Sequence, residues 1–436
     1  MLDLIGSGLV SFWLDLAGVR AQPLEALETL ALQSSPTLVI APAPDPASLT
    51  AIQQYLQALE TRGLARANQG IWMQSGPMLI ANNSGTVPLP AASLTKIATS
   101  LAALKTWGPN HHFETLVSAT GPIANGVLQG DLVIRGGGDP LFVWEEAIAL
   151  GNSLNSLGIA RVTGNLVITG NFAMNYKSDP LVAGELLKQA LDSATWSAAA
   201  KAQYSKLPLG TAKPRVAIAG SVQFAAFPNP KQILLIRHYS LPLSQILKEM
   251  NVYSNNEMAE MLGQSLGGAP AVQQLAATAA GVSPLEIQLI NSSGLGVDNR
   301  ISPRAVCAMF MALQRELLRY QMDVADLFPV SGFDHRGTLE LRQVPTGAVV
   351  KTGTLNEVSA LAGVLPTRDR GLVWFTIINR GWQIERLRSG QDQLLQRLLS
   401  QWKLAPIAPT AVTPYSTPAT TPRLGASDRN EILYKT

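Results

Sequence analysis

Three short motifs, in a fixed order along the chain, carry residues that could perform acyl transfer. They are Ser-Leu-Thr-Lys at 93–96, Ser-Asn-Asn at 254–256 and Lys-Thr-Gly at 351–353. Together they offer a hydroxyl nucleophile beside a base, a second hydroxyl that can relay a proton, and a cation at the end of a strand. Any one of these motifs is common, so the prediction depends on all three occurring in this order.

The first motif pairs Ser93 with Lys96, one turn away on the same face of a predicted helix. A serine hydroxyl is a poor nucleophile until a base removes its proton. A lysine can be that base where burial or a second cation, here Lys351, disfavours its ammonium form. Backbone N–H groups at the helix start also suit a developing oxyanion. The alternative is an ordinary helix start with an exposed lysine.

The second motif places Ser254 and Asn256 on a loop between two predicted helices. There a hydroxyl can relay a proton and an amide can hold a substrate carbonyl. Similar patterns recur at Ser153-Leu154-Asn155 and at Ser400–Lys403. Neither copy has a complete set of motifs around it. We therefore predict a plain surface role for Ser153-Leu154-Asn155, in a helical stretch, and a solvated helix end for Ser400–Lys403.

The third motif is the most specific of the three. Lys351 and Thr352 can both bind a substrate carboxylate, and Gly353 lets a substrate backbone approach the strand edge. The next residue, Thr354, would offer its backbone N–H as a second oxyanion donor beside that of Ser93. An ordinary lysine on an edge strand is the alternative interpretation.

Other chemistries find little support in the sequence. The four histidines show no metal-binding spacing, and no Gly-x-Ser-x-Gly elbow occurs. Gly136-Gly137-Gly138 lacks the remaining residues of a phosphate loop. The single cysteine, Cys307, lies in an apolar helical run and is predicted to be a buried, unreactive side chain. We therefore predict neither a metal nor a cofactor.

Composition limits the classes of partner. The chain has 436 residues, of which 47% are hydrophobic and only 14% are charged, and its formal net charge is +3. This length allows two to three domains with a sizeable core. Because the basic residues form no stripe or cluster, we expect no nucleic-acid partner.

Residues 1–21 form the one candidate targeting segment. Leu4–Leu16 is largely apolar, but Asp3 and Asp15 make the stretch atypical of an export signal. The uninterrupted apolar run is too short for a transmembrane span, so none is expected.

The elements that position the motifs follow from hydrophobic periodicity and turn residues. Helices are predicted at 49–59, 93–107, 142–157, 242–250, 256–266, 303–318 and 384–402. Strands are predicted at 70–83 (a pair), 126–140, 162–170, 344–354, 359–366 and 371–379. The strand pair and the last strands are expected to form one antiparallel sheet flanked by helices. The first helix is expected to belong to the same domain.

This pattern predicts an α/β (α+β) protein in four parts. They are an N-terminal segment 1–47 with a possible signal and a Pro-rich linker at its end, a catalytic domain of 48–108 plus 236–403, an inserted β-rich α+β subdomain at 109–235, and a disordered Pro/Thr-rich tail at 404–436.

The motifs and their surroundings resemble the DacB-like penicillin-binding proteins, a family of serine D-Ala-D-Ala carboxypeptidases/endopeptidases with an insertion between the first two motifs. The likeness covers roughly residues 50–400 and lies in five stretches: PAASLTKIATSLAAL, GVLQGDLVIRGGGDP, SLPLSQILKEMNVYSNNEMAE, NSSGLGVDNRISP, and GTLELR with VVKTGTLNEVSALAG. It implies a penicillin-binding/β-lactamase-type transpeptidase-like fold.

By this resemblance, Ser93 is the acylated nucleophile and Lys96 its base. The second motif assists proton transfer and substrate placement, and Lys351 with Thr352 binds the terminal carboxylate. The family releases D-alanine from peptidoglycan peptides, some members cut cross-links, and β-lactams acylate the same serine. The resemblance thus implies a peptidoglycan or muropeptide substrate, β-lactam inhibitors, and a periplasmic or cell-envelope location.

The chain also departs from this family. Ser93 and Ser254 are only 161 positions apart, which implies that part of the usual insertion is reduced or missing. The stretch Asn291–Gly294 has Asn where relatives often have Asp, so it is given no catalytic role. Asp179 is the one carboxylate of the insertion that we name as a candidate for substrate binding.

Two other functions stay open. A β-lactamase or esterase could use the same scaffold, but efficient deacylation would need a placed water and a base beyond the three motifs. A peptidoglycan-binding module without catalysis is the second alternative, and the three intact motifs argue against it.

Overall fold

The computed structural model describes residues 46–227, 231–405 and 423–434. Its helices are α1 (Pro46–Glu60), α2 (Thr95–Trp107), α3 (Trp144–Ser156), α4 (Pro180–Leu191), α5 (Ala198–Tyr204), α6 (Leu243–Tyr253), α7 (Asn256–Ser265), α8 (Ala269–Ala280), α9 (Pro303–Leu318) and α10 (Ile384–Trp402). None of these helices combines the length and the apolar character of a membrane span. The predicted targeting segment and the Pro/Thr-rich stretch 406–422 lie outside the described residues.

The strands are β1 (Gln69–Ser75), β2 (Met78–Asn83), β3 (Leu89–Pro90), β4 (Glu114–Ala119), β5 (Ile123–Ala124), β6 (Val127–Leu128), β7 (Leu132–Gly137), β8 (Arg161–Val162), β9 (Leu166–Asn171), β10 (Ala217–Ile218), β11 (Val222–Phe224), β12 (Ile233–Tyr239), β13 (Ile287–Gln288), β14 (Arg300–Ile301), β15 (Val349–Leu355), β16 (Val358–Thr367), β17 (Gly371–Arg380) and β18 (Asn430–Ile432).

The chain divides into two compact units. Of the described residues, the first unit comprises 46–98, Gln273–Leu289 and 294–405, and the second comprises 99–227, 231–272, Ile290–Ser293 and 423–434. Helix α2 therefore begins in the first unit and continues in the second.

The first unit is built on a five-stranded antiparallel sheet in the order β15-β16-β17-β1-β2. Side chains alternate across β1 as the strand period requires. Ile71 and Met73 join the apolar cluster formed with α1 and α10, whereas Gln74 donates to the sulfur of Met311 on α9. The sheet is thus covered by helices on both faces, as predicted.

Burial on both faces also explains the sequence of the central strands. Every residue of β16 is buried, and so is β17 up to its last residue, and both strands are near-continuous apolar runs. Helix α9 begins where predicted, because Pro303 occupies its first turn and the Ser302 hydroxyl accepts from the N–H of Ala305 at 3.0 Å.

Helix α1 differs from the prediction at its start. It was expected to begin after Ser48, but it begins at Pro46, so Ser48 lies inside the helix. The buried hydroxyl of Ser48 accepts a hydrogen bond from the Trp402 indole at 2.9 Å. This contact joins residues 354 positions apart in the chain, so the local sequence does not indicate it.

The second unit contains two sheets. Six strands pair in the order β11-β9-β7-β4-β12-β18, and four short strands pair in the order β10-β8-β6-β5. Strands β7, β9 and β11 run parallel, and β4 and β12 are antiparallel neighbours. Helices α3 and α4 contribute buried side chains to the same apolar cluster as β7 and β9. A β-rich α+β arrangement is therefore present between the first two motifs.

Two predicted boundaries need correction. The boundary at 235/236 cuts through β12, which belongs to the six-stranded sheet. The disorder predicted for 404–436 is wrong for part of the tail, because residues 430–432 form β18 and pair with β12. The assignment of separate functions to the predicted domains stays a prediction.

Candidate active site

Ser93 lies in a single 3-10 turn, Ala92–Leu94, that leads into α2. The chain enters this turn from β3, and the N–H of Ala91 donates to the carbonyl of Asn299 at 2.9 Å. Ala92 is buried and has a φ of +49°, a left-handed conformation that few residues other than glycine adopt. Such strained positions persist where the surroundings hold them, and they concentrate at functional sites.

Lys96 contacts the predicted nucleophile directly. Its Nζ donates to the Oγ of Ser93 at 3.2 Å, and its side chain is fully buried. The one-turn spacing therefore places both groups on one helix face, as predicted, and the alternative of an exposed lysine does not apply. The assignment of nucleophile and base stays a prediction.

Lys351 is the second buried lysine of this unit. It lies on β15, its side chain is fully buried, and its Nζ donates to the carbonyl of Thr352 at 2.9 Å. Burial and the nearby ammonium of Lys96 hold the pKa of Lys351 well below its usual range. Because the repulsion between two ammonium groups is mutual, this pair disfavours the state in which both are charged.

The edge of β15 approaches the backbone of the serine turn. A Cβ added to Gly353 would lie 3.1 Å from the Ser93 backbone nitrogen and 3.1 Å from the Ala91 carbonyl oxygen. The strand at Gly353 therefore lies close to the backbone of the serine turn. On the same strand, the Thr352 hydroxyl donates to the Thr338 hydroxyl at 2.7 Å.

Gly294 supports the serine turn from a third segment, and the sequence analysis gave it no role. Its φ is +86°, and an added Cβ would lie 1.9 Å from the carbonyl oxygen of Ala92 and 2.8 Å from the hydroxyl of Thr95. That Thr95 hydroxyl is buried and has no hydrogen-bond partner among the described residues. The two glycines of Ser-Ser-Gly-Leu-Gly were the available signal, since they indicate a close backbone approach.

Ser254 and Asn256 lie in the second unit, at the junction of α6 and α7. Ser254 has a φ of +54°, and the side chain of Asn255 caps α7 by accepting from the N–H of Met258 at 2.9 Å. The predicted loop between two helices is therefore present as a tight junction. The contribution of Ser254 and Asn256 to one site with Ser93 stays a prediction.

The continuation of α2 is fastened inside the second unit. The amide of Asn251 on α6 donates to the Ser100 hydroxyl at 3.0 Å, and the Thr99 hydroxyl donates to the Ser292 carbonyl at 2.7 Å. The Glu260 carboxylate in turn accepts from the backbone N–H groups of Ser292 and Ser293. These bonds hold the part of α2 that belongs to the second unit.

Of the two duplicate motifs, the Ser400 copy lies at an exposed helix end, as predicted, whereas the surface role predicted for Ser153 is wrong, because Ser153 is buried in its helix. The Ser153 hydroxyl donates to the Ala149 carbonyl and accepts from Asn430 at 3.0 Å. The Ser400 hydroxyl is exposed and donates to the Arg397 carbonyl at 2.7 Å. Both hydroxyls take part in bonds of the helix backbone or core.

Asp179 and Cys307, also considered in the sequence analysis, are held by local contacts or by burial. Asp179 caps α4 by accepting from the N–H groups of Leu181 and Val182, a local role that the structure adds to the substrate-binding candidate named above. Cys307 is buried, as predicted, and burial raises the pKa of its thiol to about 12. The thiol therefore stays protonated and unreactive near neutral pH. Among the described residues, no group of three or more His, Cys, Asp or Glu side chains could hold a metal ion.

Known proteins are similar in sequence to this chain. A family model described as the D-Ala-D-Ala carboxypeptidase 3 (S13) family matches residues 50–181 and 181–401. The D-alanyl-D-alanine carboxypeptidase DacB of Haemophilus influenzae is 24% identical over 392 residues, covering 67% of this chain and 80% of that protein. A carboxypeptidase of Mycobacterium tuberculosis is 27% identical over 341 residues, covering 67% and 71%.

A solved structure shares the fold. The predatory peptidoglycan endopeptidase of Bdellovibrio bacteriovorus superposes with a TM-score of 0.65 at 22% identity, covering 80% of this chain and 97% of that chain. The fold predicted from the motifs and the element order is thereby confirmed.

Proposed function

Because this chain belongs to the D-Ala-D-Ala carboxypeptidase 3 (S13) family, we propose that it is a serine peptidase that hydrolyses the terminal D-Ala-D-Ala bond of peptidoglycan stem peptides through an acyl-enzyme on Ser93. The observation that carries the proposal is the 3.2 Å contact between the Lys96 Nζ and the Ser93 Oγ, beside a second buried lysine. A lysine in its amine form can accept the serine proton, and two neighbouring buried lysines favour such a form.

In the acylation step, Lys96 accepts the proton of Ser93 while the Oγ attacks the carbonyl carbon of the penultimate D-alanine. The developing oxyanion accepts hydrogen bonds from the backbone N–H groups of Ser93 and Thr354. The C–N bond then breaks, and the leaving amine takes a proton that we assign to the Ser254 hydroxyl as relay.

In the deacylation step, water attacks the ester and the shortened peptide leaves, which regenerates the Ser93 hydroxyl. We assign Asn256 to hold the amide of the stem peptide. We assign the side-chain Nζ of Lys351 and the hydroxyl of Thr352 to bind the terminal carboxylate. The absence of a side chain at Gly353 leaves room for the substrate backbone.

Covalent labelling tests this assignment. Incubation with labelled penicillin, followed by peptide mass analysis, is expected to place the adduct on Ser93 and to find none in Ser93→Ala. Ser400→Ala is the matched control, because Ser400 begins the second Ser-x-x-Lys sequence, and it should label like the wild type. Labelling that persists in Ser93→Ala would refute the acyl-enzyme proposal.

Product analysis separates the alternatives. Monomeric pentapeptide muropeptides should lose one D-alanine, and cross-linked dimers should be cut if the protein also acts as an endopeptidase. Sustained turnover of nitrocefin would instead favour a β-lactamase. Binding of muropeptides without any D-alanine release would favour a non-catalytic module.

The proposed substrate also determines where we expect the protein to act. Peptidoglycan peptides occur in the cell envelope, so we propose a periplasmic or cell-surface location. Fractionation of cells that express the full chain, with detection of the protein in the envelope fraction, tests this location.

A further inference from the structure

An arginine outside the three motifs lies at the end of β15. Arg388 of α10 donates from Nη2 to the Oγ1 of Thr354 at 2.8 Å, and from Nη1 to the Oε1 of Glu385 at 2.6 Å. Its side chain is 29% exposed, and that of Glu385 is 81% exposed. A guanidinium has five N–H donors, and these two contacts use two of them.

Thr354 connects this arginine to the predicted reaction centre. It follows Gly353, where an added Cβ would lie 3.1 Å from the backbone nitrogen of Ser93. Along a strand, alternate side chains share one face and are roughly 7 Å apart, so the hydroxyls of Thr352 and Thr354 lie on the same side of β15. The two hydroxyls and the Arg388 guanidinium therefore form one polar row along the strand.

A peptide that ends in D-alanine brings a carboxylate, which needs a cation in a partly buried site. Lys351 is poorly suited to be the sole cation. Burial and the charge of Lys96 lower the pKa of Lys351, and its Nζ already donates to the Thr352 carbonyl. An arginine keeps its charge throughout the physiological range, and its planar fork matches a carboxylate.

We propose that Arg388 binds the terminal carboxylate of the substrate, together with the hydroxyls of Thr352 and Thr354, and thereby selects peptides that end in a free D-alanine. This inference rests on the proposed function. The exposed ion pair with Glu385 does not oppose it, because such surface pairs are weak and exchange readily for another carboxylate.

The test compares two tripeptides that end in D-Ala-D-Ala, one with a free carboxylate and one with a C-terminal amide. Release of the last residue is measured as kcat/KM for the wild type, Arg388→Gln, Arg388→Lys and Arg397→Gln. Arg397 lies on the same helix and is exposed, so its substitution is the matched control. Arg388→Gln should lower kcat/KM for the free acid by about 10- to 100-fold and leave that for the amide within about twofold.

Arg388→Lys keeps the charge but loses the fork, so its loss should be intermediate. Acylation by a penicillin whose carboxylate is esterified should be the same in Arg388→Gln and the wild type, which shows that the serine site is intact. An equal loss on both peptides, or none on either, would overturn the inference. If the wild type releases nothing from either peptide, the proposed function itself fails. If Arg388→Gln is active and still prefers the free-acid peptide over the amide as the wild type does, only the role of Arg388 is refuted.

Discussion

Gly353 lies so close to Ser93 that a methyl group on its α-carbon would stand 3.1 Å from the Ser93 backbone nitrogen. The neighbouring backbone would have to move by a few tenths of an ångström to make room for this methyl group. The Ser93 N–H is also one of the two proposed oxyanion donors. The spacing between strand β15 and the serine turn is therefore a property on which acylation should depend.

We expect Gly353→Ala to slow acylation of Ser93 by penicillin by about 10-fold, because a misplaced oxyanion donor costs transition-state stabilisation. Stopped-flow or quenched labelling gives the rate, and thermal unfolding gives the control. A rate equal to that of the wild type would show that the strand edge tolerates a side chain here.

Gly294 should be more sensitive than its neighbour Gly296. Both have positive φ values, +86° and +99°, so alanine is strained at either position. Only at Gly294 would the new Cβ collide with the Ala92 carbonyl, whereas nothing lies within 4 Å at Gly296.

Gly296→Ala should therefore cost about 1–3 kcal/mol of unfolding free energy and leave acylation of Ser93 intact. Gly294→Ala should cost more and also slow acylation, because the turn that carries Ser93 must move. Urea unfolding and labelling kinetics on both variants provide the comparison. Equal acylation rates in the two variants would argue against a positioning role for Gly294.

The depressed pKa of Lys351 has a consequence for stability. Its folded-state pKa lies below that of the unfolded chain, which is about 10.4 for lysine. Between these two values the unfolded state binds more protons, so the free energy of unfolding rises with pH through this window.

We expect the wild type to gain stability relative to Lys351→Met as the pH rises from 7 towards 10. The measurement is urea unfolding of both proteins at a series of pH values. Parallel curves would mean that Lys351 carries the same charge in the folded and unfolded states. Lys403→Met, at an exposed position, is the control for the replacement of a lysine by methionine.

A buried ion pair should hold β18 in place within the second unit. Arg429 donates to the Glu146 carboxylate at 2.5 Å and to the Tyr239 carbonyl at 2.9 Å, and the Glu146 side chain is 1% exposed. Desolvation raises the pKa of Glu146 to about 7 even with the arginine beside it. Removing the arginine would leave a buried carboxyl without its main partner.

We expect Arg429→Met to cost about 3–5 kcal/mol and to increase hydrogen exchange in β18 and β12. Arg237→Gln is the matched control, because its ion pair with Glu431 also joins these strands but is partly exposed. That change should cost less than about 1 kcal/mol. Similar costs for the two variants would contradict the importance of burial at Arg429.

Local patterns predicted much of the fold. The start of α9 depends on the adjacent capping Ser302 and Pro303, and the strands 358–367 and 371–380 depend on near-continuous apolar runs between turns. Such signals are short-range, so the sequence alone contains them.

The sequence failed where partners are distant along the chain. Strand β18 forms because residues 430–432 find β12, almost two hundred positions away, and nothing in a polar C-terminal segment indicates that pairing. The boundary placed at 235/236 was wrong for the same reason, since β12 completes a sheet that begins at β4.

For the candidate site, the sequence by itself determined the chemical groups and their order: the Ser-x-x-Lys pair one helical turn apart, and the later Lys-Thr-Gly strand. A helix repeats every 3.6 residues, so the spacing of Ser93 and Lys96 predicts the contact between them. Tertiary structure alone decided that Lys351 is buried near Lys96, that Gly294 supports the serine turn, and that Arg388 reaches Thr354. These relationships join segments far apart in the chain, and they exist only because packing of the sheet and helices brings those segments together.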